Sequence, residues 1–186
     1  QVVYYIANGL DRYGGDDGLT IYKRSQFDGV MDLSNKMFFY YLCFALLLAT
    51  VLGIGRIPFA PGTFGSLPGL AITMLARAYG PWWLEGPIVL LLFALGVWAA
   101  TAAERHFGGI DPGPVVIDEV VGMMITLLFI PVSALGLLAG FVVFRACDVI
   151  KPFPAGRLER LPGGLGIMSD DVMAGMAGND TFIGSA

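Results

Sequence analysis

The stretch PVVIDEVVGMMITLLFI, residues 114–130, decides how this chain folds, because it places two adjacent carboxylates inside an apolar segment. Three more acidic residues lie beside apolar segments, in GFVVFRACD and in GIMSDDVMAG. The five are Asp118, Glu119, Asp148, Asp170 and Asp171. An ionised carboxylate removed from water costs several kcal/mol unless it is paired, hydrogen-bonded or bound to a metal. We therefore expect these carboxylates to meet cations, and a metal site is the first interpretation.

The rest of the chain has the composition of a membrane protein. Of its 186 residues, 56% are hydrophobic and 14% are charged, far from the average of soluble domains. Residues 37–55, 86–103 and 120–144 carry no charge, although Pro131 interrupts the last run. Runs of about 18 to 20 such residues match one bilayer crossing. The alternative is a soluble bundle of buried helices, since a helix over residues 66–79 would reach only about 21 Å.

Gly/Pro-rich loops separate the helices that the sequence predicts. We expect helices near 37–55, 67–79, 87–105, 114–130 and 132–150, followed by a short last helix. This order predicts an all-α fold: a compact bundle of about five to six helices, integral to a membrane, with the Gly/Pro-rich loops forming a site on its cytoplasmic face.

The ends of the chain differ from its middle. Residues 1–36 are rich in charge and in Gly-Gly and Asp-Gly turn signals, and we interpret them as a polar extension. They lack the basic, apolar and small-residue order of a secretory signal. We place a helical membrane domain at 37–178 and a tail at 179–186.

Composition excludes several classes of function. A net charge of −4 leaves no basic stripe for nucleic acid. Cys43 and Cys147 are the only cysteines and support neither a disulfide framework nor a zinc site. The single histidine, His106, is interpreted as a helix-end residue. A metal, if bound, would be held by oxygen.

The distribution of basic residues predicts the topology. If successive helices alternate sides, one face receives nearly all of the bases, and the opposite loops carry only Arg77. The bases on that face are Arg56, Arg105, Arg145, Lys151, Arg157 and Arg160. Basic loops stay in the cytoplasm, so this face is expected to be cytoplasmic. The loops 62–66, 104–119 and 145–171 reach it and can form one site.

The segment APGTFGSLPG, residues 60–69, suits an anion. It is read as a glycine-rich loop with the hydroxyls of Thr63 and Ser66, in which Ser66 caps a helix and Pro68 lies in the first turn. Backbone N–H groups at a helix start bind phosphate. The alternative is a tight turn between helices.

Asp118 and Glu119 lie about 100° apart on a helix, so they reach one point only if other helices pack around them. Each can still serve a shared metal site. The alternative for Asp118 is a structural ion pair with a buried arginine such as Arg145.

The segment FRACDVIKPFP places one acid between two bases. Arg145, Asp148 and Lys151 follow at three-residue spacing, which puts them along one helix face before Pro152 ends the helix. Asp148 would bind metal, with Arg145 and Lys151 beside a phosphate. The alternative is a ladder of salt bridges, and Arg157 would contact either the phosphate or lipid headgroups.

The segment GIMSDDVMAG also has two interpretations. Ser169 is a plausible N-cap, which would put Asp170 and Asp171 in a first turn where the helix dipole favours negative charge. We keep the metal interpretation because the pair follows a basic loop on the same predicted face. Carboxylate ligands favour Mg²⁺, which also binds substrate phosphate oxygens.

Other phosphatase chemistries lack their residues. Position 153, six residues after Cys147, is Phe153 rather than the arginine of a cysteine phosphatase loop, no Asp-x-Asp occurs, and a single histidine cannot supply a phosphohistidine site with a second histidine. What remains is a water activated by Mg²⁺.

Three segments together resemble the phosphatidylglycerophosphatase A family: GRIPFAPGTFGSLPG, AERHFGGIDPGPVVIDEVVGM and FRACDVIKPFPAGRLERLPGGLGIMSDDVMAG. The resemblance covers about residues 50–175. It implies an all-helical, magnesium-dependent phosphatase that converts phosphatidylglycerophosphate to phosphatidylglycerol on the cytoplasmic side of a bacterial inner membrane.

The resemblance carries the motif residues to this chain. Thr63 and Ser66 lie in its glycine-rich segment, Asp118 and Glu119 in its acidic helix. Its last signature contains Asp148, Lys151, Asp170 and Asp171. Our hypothesis is that all five acids hold Mg²⁺, that Asp118, Glu119, Asp148 and Lys151 are catalytic, and that Thr63, Ser66, Arg145 and Arg157 bind substrate. The expected partners are an anionic phospholipid, a membrane, and other copies of the chain or a larger complex.

The ends of the chain motivate an alternative function. Residues 1–36 have no counterpart in the family pattern, and VMAGMAGNDTFIGSA follows Asp171 where a longer apolar helix is expected. The alternative is a catalytically inactive helical membrane subunit of a larger assembly.

Overall fold

The fold is known from a computed structural model that describes residues 26–27, 31–32, 36–108, 112–130, 133–151, 155–158 and 161–184. The chain divides into two compact units, residues 1–41 and 42–186. In the first, strand β1 (Gln26–Phe27) pairs antiparallel with β2 (Met31–Asp32). The other residues of the predicted polar extension before Lys36 lie outside the described residues, and so does Arg160.

The predicted all-helical fold is confirmed, and helices make up the described part of the second unit. Helix α1 (Lys36–Ala49) enters this unit from the first. The chain continues with α2 (Pro61–Tyr79), α3 (Glu85–Phe107), α4 (Ile117–Thr126), α5 (Ala134–Ile150), the single turn α6 (Ala155–Leu158) and α7 (Gly164–Gly184). Short 3-10 helices lie at Ile54–Arg56 and Trp82–Leu84.

Four of the expected helices have different bounds in the structure. Helix α4 spans Ile117–Thr126 rather than residues 114–130. Helix α1 stops at Ala49 rather than near residue 55, because Val51 and Leu52 take up positive φ. Helix α2 begins at Pro61, where the fixed φ of proline suits a first turn. The last helix is 21 residues long rather than short.

Helix α4 is the centre of the bundle. All of its residues except Glu119 are buried, and its most extensive packing is with α7 and α2. Met123 and Met124 are fully buried, each contributing about 1.5–3 kcal/mol to folding. The acid-bearing segment is therefore enclosed by other helices on almost every side.

Glycines set the distance between α4 and α7. A methyl group added at Gly122 would meet the backbone oxygen of Asp171 at 2.8 Å, and one added at Gly175 would meet the oxygen of Gly122 at 2.5 Å. Small residues of this kind allow two helix backbones to approach closely. This contact fixes which turn of α7 faces the start of α4.

The expectation of three membrane-length runs is corrected. Among the described residues, Trp82–Phe107 is the one helical segment that is long and apolar enough to cross a bilayer, with a mean hydropathy of 2.0. Helix α1 has 14 residues and reaches about 21 Å. The run 120–144 is interrupted, because α4 ends at Thr126 and α5 begins at Ala134.

Candidate active site

Two of the predicted site residues lie in the first turn of α4. Asp118 is buried, and Glu119 is half-buried with its Oε2 fully enclosed. The backbone N–H of Val116 donates to the oxygen of Ala49 (2.9 Å), which anchors the entry to this helix. A helix N-terminus favours negative charge by about 0.3–1 kcal/mol, so the position itself offsets part of the cost of burying two acids.

Helix α7 supplies a third carboxylate to the same point. Oxygen atoms of Asp118, Glu119 and Asp171 all lie within 4.8 Å of one another. We call these three residues the acidic cluster. The glycine contact between α4 and α7 is what brings Asp171 to the first turn of α4. This spacing is one that a single cation can bridge.

The electrostatics of the acidic cluster favour a cation. Burial raises the pKa of Glu119 to about 8; a hydrogen bond with Asp118 opposes the rise and the charge of Asp171 adds to it. Burial raises the pKa of Asp171 well above its usual value, and the charges of Asp118 and Asp148 raise it further. The carboxyl groups of Glu119 and Asp171 therefore favour the protonated form unless positive charge arrives.

The donor atoms fit a hard divalent cation. Within the described residues, Glu119 Oε2 and Asp171 Oδ2 are buried and have no hydrogen-bond partner. Buried polar atoms are nearly always satisfied, and carboxylate oxygens are the ligands that Mg²⁺ prefers. The residues present thus fit the Mg²⁺ that the sequence predicts.

Asp148 connects the acidic cluster to a base. It forms a hydrogen bond with Asp171, and its Oδ2 lies 2.6 Å from Nη1 of Arg145 one helical turn earlier. The N–H groups of that Nη1 do not point at a described acceptor, so the contact is an ion pair without an aligned hydrogen bond. The ion pair of the alternative interpretation is therefore present, and it adjoins the acidic cluster; the metal-binding role of Asp148 stays a prediction.

Asp170 forms an ion pair with Lys151, whereas Asp171 belongs to the acidic cluster. Asp170 Oδ2 accepts a hydrogen bond from Lys151 Nζ (2.8 Å), and Asp170 Oδ1 accepts one from the backbone N–H of Asp171 (3.0 Å). Lys151 ends α5 in the left-handed conformation, with φ of 48°. The expected helix cap at Ser169 was wrong, because α7 begins at Gly164 and Ser169 lies in its second turn.

The glycine-rich segment is the start of α2 rather than a loop. Ser66 is not an N-cap: it is fully buried, and its Oγ donates to the backbone oxygen of Gly62 (2.8 Å). Pro68 lies inside the helix, beyond its first turn. Thr63 is half-buried in the first turn. Packing against α4 overrides the usual tendency of Gly and Pro to break helices.

Sequence reasoning missed Gly62 as an individual site residue. A methyl group added there would overlap Glu119 Oε1 and lie 3.0 Å from Arg145 Nη1. Gly62 therefore brings the N-terminus of α2 against both an acid and a base of the site. Its place in the motif APGTFGS was the available signal.

The remaining predicted residue, Arg157, lies on the one-turn helix α6 and is exposed. Helix α6 packs against α7, the helix that carries Asp170 and Asp171. The described structure thus brings the five predicted acids together with Arg145 and Lys151, at the starts of α2 and α4 and the end of α5.

Such an arrangement can bind a phosphate ester through a cation. Three carboxylates face one point, two bases flank them in ion pairs, and the N-terminus of α2 adjoins the same place. A cation, guanidinium and ammonium groups, and a helix N-terminus are the groups that stabilise a transferring phosphoryl group.

Known proteins are similar to this chain in sequence. The profile of the family described as phosphatidylglycerophosphatase A matches residues 47–183, which include all of the residues discussed above. No solved structure gave a significant match.

Three relatives cover most of the chain. Phosphatidylglycerophosphatase A of Escherichia coli is 40% identical over 142 residues, which are 74% of this chain and 82% of the relative. The Haemophilus influenzae protein of the same name is 39% identical over 135 residues, 69% and 80% of the two chains. A Bacteroides thetaiotaomicron protein named as a candidate phosphatidylinositol-3-phosphatase is 38% identical over 138 residues, 70% and 86% of the two chains. The chain belongs to the phosphatidylglycerophosphatase A family.

Proposed function

We propose that this protein removes the phosphate monoester of phosphatidylglycerophosphate, releasing phosphatidylglycerol and phosphate during phospholipid synthesis. The observation that carries the proposal is the acidic cluster, with oxygens of Asp118, Glu119 and Asp171 within 4.8 Å, beside the bases Arg145 and Lys151. Family membership supports the same chemistry.

Mg²⁺ is the cation proposed for this site. Asp118, Glu119 and Asp171 would hold it, with Asp148 and Asp170 as outer partners that orient Asp171 and the two bases. When bound, it would lower the pKa of the water molecule that attacks phosphorus, and it would offset the negative charge of the phosphate. The orphaned oxygens of Glu119 and Asp171 support this assignment.

The residues of the chain itself would position the phosphate. Arg145 has an N–H group available beside its ion pair with Asp148, and Lys151 adds a second positive charge. The N-terminal turn of α2, with Thr63, offers backbone N–H groups. Ser66 supports that turn from inside through its bond to Gly62. The exposed Arg157 would contact the phosphate or lipid headgroups from the edge of the site.

The protein is proposed to act in a bacterial inner membrane with its site on the cytoplasmic side. The apolar segment Trp82–Phe107 supports a membrane location. The bases Arg145 and Lys151 lie at the acidic cluster, whereas Arg77 lies at the other end of α2. Basic residues concentrate on the cytoplasmic side of membrane proteins.

The choice of substrate rests on the relatives. Two are named for phosphatidylglycerophosphate and one for a phosphatidylinositol phosphate. All of these substrates are phosphate monoesters on a diacylglycerol phosphodiester. The family profile favours phosphatidylglycerophosphate, and an assay should compare both.

The test is phosphate release by the purified protein in mixed micelles. Phosphatidylglycerophosphate, phosphatidylinositol 3-phosphate and glycerol 3-phosphate would be supplied at equal concentration, with Mg²⁺ or with EDTA. We expect release from phosphatidylglycerophosphate in the Mg²⁺ samples alone. Preference for the inositol lipid would correct the substrate, and turnover in EDTA would overturn the role of the metal.

The same assay addresses the alternative of an inactive subunit in a larger assembly. The last helix extends to Gly184 and holds Asp170 and Asp171 well inside it, so the unusual end of the sequence still gives these acids helical support. No release from any substrate, together with co-purification of another protein in fixed ratio, would favour the subunit.

A further inference from the structure

Exposed aromatic residues gather at the ends of α2 and α4 that lie away from the acidic cluster. Tyr79 is 88% exposed and Trp82 is 75% exposed, and more than half of the Trp83 and Phe129 surfaces are also accessible. We call Tyr79, Trp82, Trp83 and Phe129 the distal collar. From Gly62 to Tyr79, α2 advances about 25 Å, so the distal collar and the acidic cluster occupy opposite ends of that helix.

A buried ion pair holds the distal collar in place. Arg77 pairs with Glu85, a residue that is 5% exposed, and also donates to the backbone oxygen of Leu127. Oε2 of Glu85 accepts the backbone N–H of Phe129 at 3.1 Å. The collar is therefore tied to α2, α3 and the end of α4.

Phe129 pays a conformational cost for its position. Its φ is 60°, a left-handed conformation that residues other than glycine adopt only at a cost in free energy. In return its ring meets that of Trp82 edge to face, with centroids 5.9 Å apart. A strained backbone that presents an exposed phenyl ring indicates a surface that is used.

The surroundings of the distal collar combine polar and apolar groups. A cavity of about 440 Å³ lies beside it, lined among others by Arg77, Trp82, Glu85 and Phe129. The lining therefore includes both an ion pair and two aromatic rings. The boundary between water and hydrocarbon in a bilayer has the same combination, and Trp and Tyr are enriched there.

Continuity with α3 identifies a bilayer as the occupant. Trp82 begins the segment Trp82–Phe107, the described helix that is long and apolar enough to span. Leu90 and Leu91 on this helix are exposed, while Arg105 and His106 are exposed at its other end. Aromatic residues at one end and bases at the other are typical of a helix anchored between two interfaces.

We propose that the distal collar lies in the headgroup region of the leaflet opposite the acidic cluster and anchors this end of the bundle there. The inference rests on the membrane location given under the proposed function, but not on the proposed reaction. It adds a second, non-catalytic lipid contact to the protein.

Tryptophan fluorescence can test the proposal, because the chain contains only three tryptophans. Trp98→Phe leaves the two collar tryptophans, and the double variant Trp82→Phe, Trp83→Phe leaves Trp98. Trp98 lies about 24 Å along α3 from the collar, inside the expected hydrocarbon region. Each full-length variant would be reconstituted in vesicles whose lipids carry bromine near the headgroup or near the chain end.

The collar tryptophans should be quenched more by shallow than by deep bromines. We expect the shallow-to-deep ratio of Trp98→Phe to exceed that of the double variant at least about twofold. If the double variant does not fold, the ratio measured on Trp98→Phe alone still decides, and a ratio below one overturns the proposal.

Two other results would also overturn the proposal. If aqueous acrylamide quenches the collar tryptophans as strongly as it does in the unfolded protein, the collar lies in water. Protection from both bromines and acrylamide, with crosslinking of collar residues between chains, would mean that a second copy covers it. No substrate is present in these measurements, so their failure is distinct from failure of the proposed phosphatase activity.

Discussion

Lys151 Nζ donates a hydrogen bond to Asp170 Oδ2 over 2.8 Å, and this contact joins the end of α5 to the second turn of α7. Asp170 is buried whereas the Lys151 side chain is one-third exposed. The pair therefore connects the inside of the site to its surface. Its position beside the acidic cluster makes it both a structural contact and a source of positive charge.

Replacing Lys151 by Met should destabilise the protein and lower its activity. The change removes the ammonium group and leaves the buried carboxylate of Asp170 without that partner. Breaking a buried pair costs about 3–5 kcal/mol, and the exposure of Lys151 reduces the expected loss to about 1–3 kcal/mol. Thermal unfolding in detergent measures the first effect and phosphate release the second.

A double variant separates the two roles of Lys151. Lys151→Met with Asp170→Asn removes both charges, so most of the stability should return while activity stays low. If activity returns together with stability, Lys151 acts only as a structural partner of Asp170.

Asp118→Asn and Asp171→Asn should each lower Mg²⁺-dependent phosphate release by at least about 100-fold. Loss of a group that only supports a metal ligand already lowers activity by about 10-fold to 100-fold, so loss of a ligand should cost at least as much. Each change removes a charged oxygen from the acidic cluster. Asp180→Asn is the matched control, because Asp180 lies on α7 like Asp171 but is exposed. Equal activity of Asp171→Asn and Asp180→Asn would exclude Asp171 as a ligand.

Some residues of this site could be predicted from the sequence, whereas the placement of others could not. Asp118 and Glu119 were identifiable because carboxylates in an apolar run need compensation. That Asp171 joins them most closely, with Asp170 turned to Lys151, depends on the register of α7 against α4. That register is set by the contacts at Gly122 and Gly175, which a spacing rule does not contain.

Local signals misled where tertiary contacts oppose them. The glycines and prolines of residues 55–66 predict a loop because these residues usually end helices, yet close packing at Gly62 and Gly65 requires residues without side chains there. The sequence predicts a helix near 114–130, yet α4 already ends at Thr126, ahead of the left-handed Phe129 whose backbone N–H donates to Glu85. Glu85 is 44 residues away in sequence from the backbone it binds.

Without a divalent cation, the protein should become less stable as pH rises from about 5 to 8. Glu119 has a folded pKa of about 8 against an ordinary value of 4.5, so between these values the folded state holds a proton that the unfolded state has lost. Stability then falls by about 1.4 kcal/mol per pH unit for each such proton. The raised pKa of Asp171 acts in the same direction.

Unfolding temperatures measured in EDTA across this pH range test the effect. Glu119→Gln should flatten the dependence without abolishing it, because Asp171 still titrates. Added Mg²⁺ should raise the unfolding temperature more at pH 8 than at pH 5, since protons compete with the metal for the same oxygens. A wild-type unfolding temperature in EDTA that stays constant would contradict the burial of these acids.

Gly62→Ala should lower activity and Mg²⁺ affinity by about 10-fold to 100-fold, in the range of a displaced outer-shell group. An alanine inside a helix is ordinarily more stable than glycine by roughly 0.5–1 kcal/mol, but here its methyl group would overlap Glu119 Oε1 and press on Arg145. The first turn of α2 must then move away from the acidic cluster, or Glu119 must leave it. Activity titrated with Mg²⁺ would measure the change.

Gly113→Ala is the matched control for that experiment. Gly113 lies outside the helices, five and six residues before the acids of α4, and a methyl group there meets no atom within 4 Å. Its activity and Mg²⁺ dependence should equal those of wild type. If both alanine variants behave like wild type, the start of α2 can accommodate a methyl group. Its contact with Glu119 then does not position the carboxylate for the metal.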